Sequence, residues 1–292
     1  MRRTIMVTAT DSNGPLLDLK PDNFRVESKS QLWRVLRASR SNGVGRALLM
    51  IDTSGSMRGK EASRVLAALA RGILDAAPPN ASLALISFDT EVRIRAGFST
   101  PRTVLVAEIV GIVRDVVSPK PLKTALYDSL KQVLDIFGPA QTGDTIFLIS
   151  DGGDSRSTSI MPGLRKQLLE RGLRLYSLIP QKPPKELFVT EEERFGFQNL
   201  DELSRDVGGA SISVTTPQDR STGSPETLNP ISELARKLYL LFSSSYEVEI
   251  ESEQVIKHPT KLKVQIVASD GKTWRGTKAL YAHELMPCPS PN

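Results

Sequence analysis

Through the middle of the chain, unbroken apolar runs alternate with stretches whose apolar residues recur at helical spacing. Ala47-Leu48-Leu49-Met50-Ile51 and Thr145-Ile146-Phe147-Leu148-Ile149 show no polar alternation, as expected for parallel strands covered on both faces. Ser82 to Phe88, Leu173 to Ile179 and the short Ala210 to Val214 read as further strands. Between them Val65, Leu66, Leu69, Ile73 and Leu74 form a helical stripe that Pro78-Pro79-Asn80 stops. Leu126, Leu130, Val133, Leu134 and Phe137 form a second stripe, ended by Gly138-Pro139, and Leu164, Leu168 and Leu169 mark a third. Helices are also expected near Val104 to Val113, over Leu200 to Val207 and over Ile231 to Leu241. Val92-Arg93-Ile94 follows a short turn after Phe88 and reads as the return of a hairpin, hence one antiparallel edge strand on an otherwise parallel α/β sheet.

Both ends of the chain carry a different pattern, of short strands and turns. Thr4 to Thr10, Phe24 to Ser28 and Leu32 to Ala38 precede the α/β region, with Asp11-Ser12-Asn13-Gly14 as a turn. Tyr246 to Ile250, Lys261 to Val267 and Thr273 to Leu280 follow it, with Ser269-Asp270-Gly271-Lys272 as a hairpin turn. Neither set of strands suffices to enclose a core alone, whereas the two together do. The expectation is a flanking β-sandwich-like domain built from residues 1–43 and 243–284, with residues 44–242 inserted as the α/β domain and 285–292 left as a tail.

Composition narrows the function classes. The 292 residues carry 38 Lys+Arg against 33 Asp+Glu, a net charge of +5 that is scattered along the chain, and aromatics make up 5%. Nucleic-acid faces cluster basic residues and interleave them with aromatics, so nucleic acid is not an expected partner. Cys288 is the only cysteine, and His258 and His283 are the only histidines, too few soft ligands for a zinc site and no basis for an internal disulfide. No run reaches membrane-spanning length, and the start lacks the apolar core of a signal peptide. The expected compartment is the cytoplasm, or an exported location reached with a targeting segment this sequence lacks.

The candidate chemistry lies where the two most apolar strands run out. Asp52-Thr53-Ser54-Gly55-Ser56 follows the first and sets one carboxylate and two hydroxyls at alternate positions around a glycine turn. Ser150-Asp151-Gly152-Gly153-Asp154 follows the second, and Lys123-Thr124 opens a helix between them. In open α/β sheets ligands bind at the carboxyl ends of the strands. Oxygen donors suit a hard cation, Mg²⁺, Mn²⁺ or Ca²⁺, rather than zinc or copper. The bland reading of the same residues is a set of helix caps and turns.

Asp52, Ser54, Ser56, Thr124 and Asp151, in this order and context, resemble the metal-ion-dependent adhesion site of the von Willebrand factor type A family. The resemblance covers about Val44 to Val214. It implies a Rossmann-like, doubly wound domain that holds Mg²⁺ on those five residues and captures a partner protein through an Asp or Glu carboxylate. Many relatives place a glycine before the threonine, where this chain has Lys123, so a cation stands beside the expected metal. The layout of the chain ends, with Asp11 to Gly14 and Leu19 to Phe24, is also similar to bacterial proteins described as von Willebrand type A related.

The remaining polar residues are read more plainly. Gly55 to Glu61 imitates a phosphate loop but has the wrong spacing, and Glu61 stands where a Ser or Thr is needed. Asp128 reads as a solvated helix residue and Asp89 as a hairpin residue, while Asp154 reads first as a cap on the helix that follows it and otherwise as a residue reaching the ion through water. Residues 181–197 leave a strand's carboxyl end and should overhang the metal face, with Glu191, Glu192 and Glu193 as a solvated loop able to influence partner choice, like Lys123, or to supply a pseudo-ligand to the ion. No nucleophile elbow surrounds Ser54. The expected function is therefore a metal-dependent, non-enzymatic binding module for adhesion or scaffolding. The alternatives are a metal-assisted phosphate-ester hydrolase, which lacks a convincing general base, and a purely structural domain.

Overall fold

The computed structural model describes residues 1–41, 45–118, 120, 122–181, 191–215, 225–253 and 255–287. Four strands open the chain: β1 (Arg2–Asp11), β2 (Gly14–Pro15), β3 (Phe24–Ser28) and β4 (Gln31–Arg40). The α/β region follows with β5 (Ala47–Asp52), α1 (Lys60–Ala76), β6 (Leu83–Phe88), β7 (Val92–Ala96), α2 (Arg102–Val116) and α3 (Leu126–Phe137). It continues with β8 (Thr145–Ile149), α4 (Met161–Arg171), β9 (Arg174–Gln181), α5 (Glu191–Asp206), β10 (Ala210–Thr215) and α6 (Pro225–Ser243). The chain closes with β11 (Tyr246–Glu251), β12 (Thr260–Ile266), β13 (Lys278–Leu280) and β14 (Glu284–Leu285).

The central sheet has the order β10-β9-β8-β5-β6-β7. All its pairings are parallel except that of the edge strand β7 with β6, as the hairpin reading expects. Successive side chains of a strand point to opposite faces, which is why the apolar runs lack alternation. Leu49 and Ile51 enter one core with α1, α2 and α6, while Leu48 and Met50 enter the other with α3, α4 and α5. Phe147 and Ile149 of β8 go with the first set and Ile146 and Leu148 with the second. The sheet is thus doubly wound, and its two middle strands end beside each other, with Ile51 opposite Ile149.

The strands of the two chain ends form one antiparallel sheet of eight strands, in the order β13-β1-β11-β4-β3-β12-β14 with β2 beside β1. Instead of two separate sheets, this single sheet curls over its own core of Val7, Val26, Trp33, Val248, Val264 and Ile266. Alternation is clean here: Tyr246, Val248 and Ile250 of β11 are buried and the residues between them are half-exposed. β11 lies between β1 and β4, paired with both, and the Tyr246 hydroxyl accepts from the Leu19 amide and donates to the Leu16 carbonyl.

Three segments differ from their sequence reading. The strand expected over Thr273 to Leu280 is only β13: after a single bridge between Val267 and Thr273 the chain leaves β12 and crosses to pair with β1. α5 begins at Glu191 instead of Leu200, so Glu191 to Glu193 are the first turn of a helix and not a loop. α6 starts at Pro225 instead of Ile231: Pro225 takes the first helical position, where a missing amide costs least, and Pro230 lies inside the helix. Of residues 181–197, positions 182–190 lie outside the described residues.

Because β11 takes both of its neighbours from the N-terminal segment, a chain beginning at Ser41 should lose the β-domain. Tyr246, Val248 and Ile250 would each give up about 1.5–3 kcal/mol of burial, and two strand edges would be bare. Size-exclusion chromatography should show aggregation and circular dichroism a reduced β-content. A soluble monomer with undiminished β-content would contradict the pairing.

Candidate functional site

β5 delivers Asp52 to the carboxyl edge of the sheet with no solvent exposure at all. Its carboxylate is held from two sides: the Ser54 amide donates to Oδ1 at 2.8 Å and the Ser150 hydroxyl donates to Oδ2 at 2.7 Å. Thr53, between Asp52 and Ser54, turns back and donates from both its amide and its hydroxyl to the Phe88 carbonyl at the end of β6. A 3₁₀ turn over Gly55–Met57 then brings the Ser54 and Ser56 hydroxyls within 3.4 Å of each other. Arg58 pins the turn from behind by donating to the Thr53 and Asp115 carbonyls.

The Thr124 segment is fastened to the loops after both β5 and β8. The Gly55 amide donates to the Leu122 carbonyl at 2.9 Å, and a Cβ on Gly55 would sit 2.9 Å from the Lys120 carbonyl oxygen, so no side chain fits at this crossing. Thr124 itself is buried; its amide donates to the Ser155 hydroxyl and its carbonyl accepts from the Ser155 amide. The next amide, Ala125, donates to the carbonyl of Asp89, whose buried carboxylate is gripped by the Arg93 fork. Burial works to raise the Asp89 carboxyl, but Arg93 and the turn amides outweigh it and hold the group below its usual range. Lys123 is exposed.

Asp151 is half-buried and accepts from the Gly153 amide at 3.2 Å. The Gly152 amide donates to the Ser150 hydroxyl, which links the turn after β8 to the Asp52 carboxylate. Gly152 has φ +86°, and its backbone crosses that of Gly196 in α5 so closely that a Cβ on either would lie 2.3–2.5 Å from the other's carbonyl oxygen. Hence the helix that begins with Glu191 to Glu193 is seated on the Asp151 turn.

Two acidic residues act differently from their sequence reading. Asp154 does not cap α4, which starts only at Met161; it accepts from the Arg156 and Ser157 amides and from the Tyr127 amide in the first turn of α3. Asp128 is not merely solvated: it accepts from the Thr158 and Ser159 amides, bonds with Ser159 and Thr158 that bring its carboxyl down to about 2. The start of α3 and the 154–159 loop therefore hold each other, since the Ser157 hydroxyl accepts from the Asp128 amide in return. Such reciprocal bonds satisfy the orphan amides of a helix start. Sequence reasoning assigned nothing to Ser150 or Arg58. Ser150 was open to discovery, because aligning the two apolar runs at Ile51 and Ile149 makes Asp52 and Ser150 neighbours.

The structure brings Asp52, Ser54, Ser56 and Asp151 together at one edge, with Thr124 bound between their loops. Burial, then the nearby Asp151 charge, push the Asp52 carboxyl up to about 7 against the opposing Ser54 and Ser150 bonds. Neither Asp52 nor Asp151 forms an ion pair with a Lys or Arg among the described residues. Nor do three His, Cys, Asp or Glu side chains cluster anywhere among those residues. The donor set on offer is two carboxylates with hydroxyls, which fits a hard divalent cation and no soft one.

The model of the von Willebrand factor type A domain matches residues 47–153, the stretch from β5 through the Asp151 turn. The chain carries a von Willebrand factor type A domain. Domains of this type serve in general as protein-interaction modules. Among solved structures, BatB from Bacteroides thetaiotaomicron is similar at 17% identity and TM-score 0.45, over 66% of this chain and 98% of that one. A von Willebrand factor type A protein from Catenulispora acidiphila is similar at 12% identity and TM-score 0.44, over 96% and 74%. An aerotolerance-related membrane protein from Bacteroides fragilis is similar at 16% identity and TM-score 0.46, over 65% and 99%. No curated protein matches the sequence. Among the described residues, no helix is long and apolar enough to cross a membrane.

The raised Asp52 carboxyl has a definite sign for stability. In the metal-free type A domain the folded state holds a proton that the unfolded chain, with an ordinary carboxyl, has released. The stabilisation is complete below about pH 4 and lost as pH rises through about 7. Asp52→Asn, which cannot ionise, should therefore be more stable than the wild type at pH 8 by on the order of 3 kcal/mol, and near parity at pH 4. Urea titrations in metal-free buffer at the two pH values test this; an equal difference at both would refute it.

Proposed function

We propose that this chain is a divalent-metal-dependent protein-binding module, in which Asp52, Ser54, Ser56, Thr124 and Asp151 hold Mg²⁺, or Mn²⁺ or Ca²⁺, and an acidic side chain of a partner completes the site. The observation that carries this reading is the fully buried Asp52 carboxylate facing Asp151 with no cationic side chain paired to either among the described residues. A fully desolvated carboxylate with a second, half-buried one beside it is costly unless a cation lies between them. When bound, such an ion supplies an electrophilic position that attracts a further anionic oxygen.

The chain's own residues set the terms of that capture. Ser150 and the Ser54 amide fix the Asp52 carboxylate in place, so no reorganisation is needed there on binding. Three of the proposed ligands are neutral hydroxyls, so the two carboxylates balance a divalent ion without surplus negative charge, and in a shell of six or more oxygens a position remains for the partner's carboxylate. Glu191, Glu192 and Glu193 open a helix resting on the Asp151 turn through Gly196, and in this reading they shape partner choice by charge. Binding is preferred over hydrolysis because His283 is engaged with Asp206 and His258 precedes β12 in the other sheet, leaving no histidine as general base at the edge.

The direct test is calorimetry with Mg²⁺ and Mn²⁺ on the whole chain, with thermal unfolding alongside. A ligand bound only by the folded state raises its stability by mass action, so millimolar Mg²⁺ should raise the melting temperature of the wild type and leave Asp52→Ala unmoved. Absence of binding to the wild type at millimolar Mg²⁺ would sink the reading. Partner capture from a lysate should in turn be lost with EDTA.

Lys123 gives a finer test. It is exposed and adjacent to Thr124, where it attracts the incoming carboxylate and repels the ion, each by up to about 1 kcal/mol. Lys123→Gly should weaken partner binding and leave Mg²⁺ affinity equal or higher. If metal titration instead shows weaker Mg²⁺ binding, Lys123 supports the loop and the charge argument fails.

A further inference from the structure

The opposite, amino-terminal edge of the central sheet holds a second feature that the metal site does not use. A cavity of about 630 Å³ lies there between the two sheets, walled by β1, the loop before β8, the turn from α4 into β9, and the segment around β14. That volume lies within the range of small-molecule sites. Arg174, the first residue of β9, lines it with only 3% of its surface exposed.

The Arg174 guanidinium is held but not neutralised. Its Nη1 donates to the Tyr176 hydroxyl at 3.2 Å and the Ser245 hydroxyl at 2.5 Å, and its plane lies over the Tyr176 and Phe242 rings. Its Nε and Nη2 are buried with no acceptor among the described residues, and no carboxylate pairs with it. Across the cavity Arg3 repeats the situation: Nη2 donates to the Met286 carbonyl and the buried Nε has no acceptor among the described residues. The carboxylates on the same walls are engaged elsewhere, Glu284 with Arg165 at 3.3 Å and Glu170 with Lys166 at 3.8 Å. A guanidinium cannot relieve burial by losing its proton, and an unpaired buried charge is costly.

We propose that this cavity is a binding site for a small oxyanion, a carboxylate or a phosphate, anchored by Arg174 and Arg3 and separate from the metal edge. Arginine suits such ligands because its planar fork offers parallel donors to two oxygens. The site joins the sheets: Arg3 belongs to β1 and Arg174 to β9, and Ser245, which accepts from Arg174, is also bonded to Thr8 of β1. Occupancy therefore ties the β-domain to the type A domain.

Inorganic phosphate and acetate are the probes, titrated into the full-length chain at constant ionic strength. The Asp52→Ala background, freed of metal, keeps either probe from acting through a bound ion. Saturable binding by calorimetry is expected for at least one probe, with a melting temperature raised by about 3–6 °C at ten times the dissociation constant. A response to phosphate alone assigns a phosphate ligand, and a response to acetate assigns a carboxylate. Arg174→Met, which keeps the volume and removes the buried charge, should abolish the binding; Arg3→Met should weaken it at least tenfold and serves alone if the first variant does not fold. Saturable binding by neither probe, or binding that survives these substitutions undiminished, would overturn the proposal and leave Arg174 as a packing residue.

Discussion

The structure turns on a carboxylate placed where water cannot reach it. Asp52 ends the central strand of a sheet wound on both faces, so its burial follows from the strand order itself. A second carboxylate, Asp151, emerges from the neighbouring parallel strand because the two apolar runs end in register at Ile51 and Ile149. Neutral donors cannot cancel this pair: Ser54 and Ser150 lower the Asp52 carboxyl, yet burial and Asp151 still carry it to about 7. Much of the surrounding architecture can be read as holding that edge in one geometry. The Thr124 segment is sewn to the Gly55 turn on one side and to Ser155 on the other, and α5 clamps the Asp151 turn through a glycine crossing.

How much of this was legible depended on the range over which each residue acts. Buried strands announce themselves locally, since residues 47–51 and 146–149 must be apolar on both faces, and the five candidate ligands stand directly at strand or helix ends. Asp128 and Asp154 were misread because their partners lie across a loop: Asp128 bonds amides thirty residues on, at Thr158 and Ser159, and Asp154 reaches back to Tyr127. Helix-capping rules describe acids next to their own helix, and these two serve another segment's amides. Ser150 falls between the cases. Nothing in its own neighbourhood marks it, but strand register alone places it beside Asp52.

The flanking domain shows the same division between local and distant information. Alternation in Tyr246 to Ile250 and in Lys261 to Ile266 identified strands, and the shortage of strands at each end required the ends to combine. The partner of the last segment was not readable, because a turn at 269–272 is equally compatible with returning along β12 or with leaving it. Curling of the sheet decides the matter. With β12 and β1 brought near each other around a shared core, the chain after Trp274 crosses to β1 and pairs Lys278 to Leu280 there.

Charge is distributed asymmetrically along the sheet axis, and this follows from parallel topology. The carboxyl ends of β5 and β8 present Asp52 and Asp151, whereas the amino end of β9 presents Arg174. Both edges bury a charge without a compensating side chain among the described residues, and of opposite sign. The five parallel strands keep the two edges chemically distinct, since each crossover between them returns the chain to the same starting side. The β-domain, entered from β1 and re-entered after α6, packs against the amino edge where Ser245 meets Arg174 and Thr8. Asp52, Ser54, Thr124 and Asp151 at the carboxyl edge all belong to the type A domain, whereas the cavity beside Arg174 and Arg3 is walled by both sheets at once.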